Sequence, residues 1–224
     1  GYQPYVFEHG HIPPAYCYRC WFNRNSTCCN FDCARALENE ILCNGPETVA
    51  AFIMEPISGM SLCGAYPNNG YYKKIREICD KYDVLLIDDE VMAGMGRTGK
   101  YYAYQHFGIT PDIIALGKAL SGGAFPIGAV ACRDKIYKAI LAKSAEFPPG
   151  YSWAGNPLGA SVIVKTFEIL KRDNLIAAVS EKGKYLKNKL IAIAGNHDSP
   201  DRIESPDPLA RECGIVFIGY PNTV

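Results

Sequence analysis

Short, wholly apolar runs alternate with amphipathic stretches along most of the chain. Thr48–Met54 (TVAAFIM), Val84–Ile87 and Ile113–Leu116 read as buried strands, and Ile127–Ala131 as a fourth. Between and after them the spacing changes to that of helices. In Asp32–Asn44 the residues Ala34, Leu37, Ile41 and Leu42 share one face, and Asn44-Gly45-Pro46 ends the run. Gly70–Tyr82 turns Ile75, Ile78 and Cys79 inward and Lys73, Lys74, Arg76 and Asp80 outward. Asp134–Ala142 is a third helix. A fourth starts near Asn156-Pro157 and runs to about Arg172 with Val162, Phe167 and Leu170 apolar, and a fifth runs from Leu175 to about Leu190. Strand, helix, strand in succession is a βαβ unit, so the fold class is α/β around a mostly parallel sheet.

The polar residues that change this picture sit where strands stop. Val84–Ile87 ends in Asp88, Asp89 and Glu90, and Ile113–Leu116 runs into Gly117-Lys118. Both would meet at the carboxyl edge of the sheet, where open α/β sheets bind ligands. A lysine there, between a small residue and an apolar helix start, suits attack on a carbonyl, because desolvation lowers an amine's pKa. A carboxylate drawn into such a site needs a cation. A protonated pyridine nitrogen is one, and the pairing turns the ring into an electron sink. Spacing alone leaves the plain alternative equally open: Asp89 caps a loop and Lys118 lies on the surface. Asp88 is expected to alternate away from Asp89 along the strand. Arg97, in a glycine-rich loop, reads equally as a contact near the site or a subunit interface and as a loop-stabilising ion pair. Tyr101, Tyr102, Tyr104 and Phe107 read as packing, and there is no GxxxxGK[ST] phosphate loop.

Composition narrows the partners. The 224 residues suffice for one large domain or two small ones, and 23 Lys plus Arg balance 23 Asp plus Glu. No net field draws in nucleic acid or an anionic membrane. No apolar run has transmembrane length and no signal peptide is present, so a cytoplasmic protein is expected. Of the ten cysteines, Cys17, Cys20, Cys28, Cys29 and Cys33 crowd one stretch. Cys17-x-x-Cys20 could be half of a zinc site, but the later three do not repeat its spacing. Reduced thiols are the expected state, and disulfides are not expected.

Taken in order, a set of pieces resembles the class III, pyridoxal-phosphate-dependent aminotransferases of fold type I. They are Glu55-Pro56-Ile57, Asp89-Glu90-Val91, Gly94-Met95-Gly96-Arg97-Thr98-Gly99, Pro111-Asp112-Ile113, Leu116-Gly117-Lys118-Ala119-Leu120, Pro126-Ile127-Gly128-Ala129 and Ser152-Trp153-Ala154-Gly155-Asn156-Pro157. The resemblance covers most of Tyr5 to about Leu190. It implies a fragment of that family's large domain, a mostly parallel sheet with helices on both faces. By it, Lys118 bonds the cofactor and moves the proton at the substrate carbon. Asp89 pairs with the pyridine nitrogen, Val91 packs on the ring, and Glu55 helps hold the site's hydrogen bonds. Ser152, in place of the more usual Thr, would reach the phosphate of the neighbouring subunit in a homodimer. No metal is expected. The reaction implied is transamination from an amine or ω-amino acid to a 2-oxo acid such as pyruvate. Met60 favours that branch, since branches acting on ornithine or γ-aminobutyrate usually carry a glutamate there. An aminomutase or racemase with the same cofactor is the enzymatic alternative, and a zinc-binding module at residues 17–33 the non-enzymatic one.

The chain opens at Gly1 rather than Met, and the resemblance places a large segment, including the phosphate-cradling loop, before it. A truncated chain of little or no activity is therefore expected. Residues 1–46 form a Cys-rich leading segment and first helix, 47–155 the cofactor-binding core, and 156–190 helices leading toward a C-terminal domain. Residues 191–224 are expected to be a foreign tail. Gly195-Asn196-His197-Asp198 there resembles calcineurin-like metallophosphoesterases, in particular the nuclease subunit of DNA-repair exonucleases. The further ligands of a two-metal site have no counterparts, so no working phosphoesterase is implied.

Overall fold

The structure, a computed structural model, describes residues 9–24, 29–62, 64–144 and 152–189. Cys28 and the tail with its Gly195–Asp198 motif lie outside these residues. Four strands, β1 (Ala51–Met54), β2 (Leu85–Asp89), β3 (Ile113–Leu116) and β4 (Ala129–Cys132), form one sheet in that order. The first three are parallel and β4 is antiparallel to β3, an edge arrangement common in otherwise parallel sheets. The helices are α1 (Asp32–Asn44), α2 (Gly70–Lys81), α3 (Asp134–Ser144), α4 (Pro157–Arg172) and α5 (Leu175–Lys189).

Strand alternation sorts the sheet into two unlike faces. On one, Phe52, Met54 and Leu86 meet the buried Ala34, Leu37 and Ile41 of α1 and Tyr72, Ile75 and Ile78 of α2. Tyr72 stacks on Phe107 with ring centroids 3.6 Å apart, an arrangement worth about 0.5–1.5 kcal/mol beyond area burial. Farther along the same face, Ile114, Leu116 and Ala129 pack with Met95, Leu120 and the α4 residues Ile163, Phe167 and Leu170. Tyr101 lies against Phe167, so these aromatic residues do pack. Gly159 is buried under this helix, and a Cβ there would fall 2.5 Å from Ile127 Cδ1.

The opposite face is largely bare. α3 stands beside its amino-terminal end, where Leu85, Ile136, Ala139 and Ile140 line one open cavity. Toward the carboxyl end Ile53 is 59% and Val130 71% exposed. Helices on both faces were expected, and among the described residues only part of this second face is covered. Exposed apolar side chains grouped on one face are a surface that a hydrophobic partner can cover. The native chain is therefore expected to enhance the fluorescence of the dye ANS. Fluorescence no higher than that of dye in buffer would show the face to be covered.

Two readings of the sequence need correction. β1 starts at Ala51, not Thr48, because Pro46–Thr48 closes a 3-10 turn in which the Thr48 N–H donates to Gly45 O at 2.9 Å. Pro46 presets the backbone angle of that turn. Arg76 does not point outward: its side chain is 15% exposed and donates to the buried Asp112 at 2.7 Å.

Candidate functional site

Register builds the site. Asp89 is level with Ala115, and Ala115 with Val130, across β2, β3 and β4. Extending the β1–β2 register by one residue sets Glu55 level with Asp89. These four positions form a row at the carboxyl edge of the bare face. Asp88 and Glu90 alternate to the packed face and are 0% and 1% exposed, while Asp89 is half-buried. The departure that Asp88 makes from the usual apolar residue therefore does not crowd Asp89 on its own face.

The backbone after β2 fixes the neighbours. Oδ1 of Asp89 accepts the Val91 N–H at 3.0 Å. The Glu90 N–H donates to Ala115 O at 3.0 Å, and the Gly94 N–H to Glu90 O at 2.9 Å. That tight turn requires glycine at 94, where a Cβ would sit 2.7 Å from Glu90 O. Val91 leans on the strand-end glycine, since a Cβ on Gly117 would lie 3.4 Å from Val91 Cγ1. Lys118 follows directly and opens a 3-10 turn, Lys118–Ser121. Its φ of 43° is left-handed, which non-glycine residues adopt at a cost of about 1–3 kcal/mol, mostly at functional sites. α4 packs on this turn.

Glu55 holds the next loop. Its carboxylate accepts Ser58 Oγ at 3.2 Å and the Gly59 N–H at 3.3 Å. Gly59 in turn rests on Met92, whose Cγ would be 2.5 Å from a Cβ there. Contacts thus run from Glu55 through Gly59 and Met92 to Val91, and on to Gly117 and Lys118. Ser152 stands apart, exposed in the turn 152–155 ahead of α4. Asn156 caps that helix by accepting the Leu158 and Gly159 N–H groups.

Lys118 is exposed, where a desolvated amine was expected. Arg97 is exposed in its loop. Cys17, Cys20, Cys29 and Cys33 are in no disulfide among the described residues. Burial, then the neighbouring Cys29 and Cys17, pushes the Cys33 thiol up to about 12. Among the described residues no group of three or more His, Cys, Asp or Glu could hold a metal ion. Sequence reasoning passed over Glu90, Ala115 and Val130, although alternation from Asp89 was a signal for the first.

A family model, aminotransferase class-III, matches residues 7–206. The match runs past Leu190 and through Gly195–Asp198, and no comparison supports the metallophosphoesterase resemblance there. An uncharacterized aminotransferase of Schizosaccharomyces pombe is 38% identical over 208 residues, 90% of this chain and 45% of that protein. A putrescine–pyruvate aminotransferase of Pseudomonas aeruginosa is 41% identical over 157 residues, 70% of this chain and 34% of that protein. Among solved structures, a thermostable (S)-enantioselective omega-transaminase from Thermomicrobium roseum superposes with a TM-score of 0.76 at 30% identity, over 84% of this chain and 42% of that one. The chain spans less than half the length of each of these proteins.

Proposed function

The chain belongs to the class-III aminotransferases, and from that premise we propose that it serves pyridoxal-phosphate-dependent transamination, from a primary amine or ω-amino acid to a 2-oxo acid such as pyruvate. The observation that supports this reading is that Val91, whose N–H is held by Asp89, rests on Gly117, the residue before Lys118. A carboxylate, a branched apolar side chain and a primary amine are the set that a cationic pyridine ring bearing an aldehyde calls for. Among the described residues a hydrogen bond reaches only Oδ1 of Asp89, which leaves Oδ2 for a cation. The residues fit the cofactor.

When bound, the cofactor supplies an electron sink for the charge that builds on the substrate carbon. Asp89, oriented by the Val91 N–H, pairs with the protonated ring nitrogen. Val91 packs on the ring with Gly117 behind it. Lys118 would hold the cofactor through its amine and would carry the proton at the substrate carbon. Glu55 keeps the 58–59 loop against Met92 and so closes the side of the site. Ser152 donates to the phosphate of a second copy in a homodimer. Met60, 87% exposed, offers no carboxylate to a gating arginine, which supports amines or ω-amino acids as donors.

The test supplies amines and ω-amino acids with pyruvate and follows alanine by chromatography. The chain is assayed alone and joined to the flanking segments of a relative. The joined protein should form alanine, and the chain alone little or none, because charge-assisted bonds to the phosphate are the strong ones and Ser152 is the one such donor identified. Isomerised or racemised donor without alanine would favour the aminomutase or racemase reading. Brisk turnover by the chain alone would overturn the expectation of inactivity.

A further inference from the structure

Behind Asp89, on the packed face, two carboxyl groups lie in the interior. Asp88 is 0% and Glu90 1% exposed. Oε1 of Glu90 accepts the Tyr104 N–H at 2.9 Å, but among the described residues Oε2 and both oxygens of Asp88 meet no N–H or O–H donor. Carboxylates accept and cannot donate, and two ionised ones side by side in an apolar layer are disfavoured by burial and by each other. The other titratable groups acting on them are Asp89 on the same strand, Tyr72 of α2, Tyr102 and Tyr104. No cation is among these groups. The Tyr72 hydroxyl is spent on Pro56 O.

We propose that Asp88 and Glu90 share one proton, carried by Asp88 and donated to Glu90, and that this pair is a pH-sensitive support holding Asp89 and Val91 in place from behind. With the proton present, Glu90 ties the turn at Tyr104, Asp88 satisfies Glu90, and the main chain from 88 to 91 is pinned on the packed face. That main chain presents Asp89 and Val91 to the bare face. Without the proton, two charges face each other behind Asp89 and the backbone must yield. The inference rests on the proposed reaction only in saying what Asp89 is held for, and its test reads the proton itself.

Burial, then Glu90 and Asp89, pushes Asp88 from 3.8 up to about 8; burial raises Glu90 as well, against the lowering pull of the Ala103 and Tyr104 N–H groups and of Asp88. A carboxyl raised in the folded state binds more protons folded than unfolded. Its contribution to stability is then fully present below pH 3.8, falls as pH rises, and levels off above about 8. Asp88→Asn keeps a donor to Glu90 and cannot ionise. Asp88→Ala removes the donor. Glu90→Gln gives Asp88 a donor of its own and should lower its titration.

The experiment uses the full chain without cofactor. Difference infrared spectra should show a protonated carboxylic acid near neutral pH that disappears as pH passes about 8 and is absent from Asp88→Asn. The Val91 amide resonance should titrate with it in the parent chain and stay fixed in Asp88→Asn. Thermal unfolding of the parent should lose stability between about pH 4 and 8 relative to Asp88→Asn, with Asp88→Ala less stable than Asp88→Asn throughout. Should Asp88→Ala fail to fold, the infrared and amide readings on Asp88→Asn still decide. An ionised pair near neutral pH, or a Val91 titration that survives in Asp88→Asn, overturns the proposal. Failure of transamination would leave these readings untouched.

Discussion

Replacing Lys118 by alanine, in the chain joined to the flanking segments of a relative, is expected to lower kcat by roughly 10³-fold or more. One amine has two tasks in the proposed reaction, bonding the cofactor and moving a proton, and neither can be taken over by a neighbour. The contacts beside it are apolar or backbone: Val91 on Gly117, and α4 on the Lys118–Ser121 turn. Stability should change little, since the side chain is exposed, and relief of the left-handed backbone by Lys118→Gly should raise it slightly. Borohydride reduction of the loaded protein followed by peptide mapping checks the assignment directly. Label on Lys118 is expected. Label on another lysine, or a Lys118→Ala variant that still turns over at a tenth of the parent rate, would refute it.

What could be read from the sequence was local. α1 runs from Asp32 to Asn44 as expected, because its apolar spacing and its Gly-Pro stop lie within one short window. The strands were legible as runs that stop in Asp88-Asp89-Glu90 and in Gly117-Lys118. What could not be read depends on pairing between distant segments. Ala115 and Val130 join Asp89 only through the register of three strands, which no window of sequence contains. Arg76 looked solvent-facing because its helical neighbours are charged, and its partner Asp112 lies beyond the next strand. Asp88 was read correctly as pointing away from Asp89, but that Glu90 waits there with an oxygen lacking a donor needed the packed face itself.

Replacing Asp112 should do the greatest damage to the fold. The residue immediately precedes β3, is 2% exposed, and gathers four elements. It accepts the Leu86 N–H of β2 at 3.0 Å and an Arg76 N–H from α2 at 2.7 Å. Lys135 of α3 lies 3.1 Å away, and Arg133, just past β4, 3.5 Å. Burial pushes its carboxyl up, but the Leu86 N–H, Arg76 and Lys135 outweigh burial and hold it at about 2 instead of 3.8. That difference corresponds to roughly 2 kcal/mol of stability. A depressed carboxyl contributes stability that is present above its unfolded pKa and is lost as pH falls through the folded one, here from about 4 to about 2. Asp112→Asn keeps the shape and can still accept from Leu86, yet it leaves the guanidinium of Arg76 with only the exposed Asp80, 2.8 Å away, as a charged partner. Breaking a buried pair on one side costs roughly 3–5 kcal/mol, and the partial exposure of Arg76 argues for the lower end. Arg76→Met should cost less than Asp112→Asn, because the remaining carboxylate keeps Lys135 and Arg133. The double variant should lose less than the sum of the two. Urea titrations of the four proteins at neutral pH measure the coupling, and repeating them toward about pH 2 should close the gap between parent and Asp112→Asn. Additive losses, or a gap that does not narrow in acid, would show that the four elements are held together by packing rather than by this carboxylate.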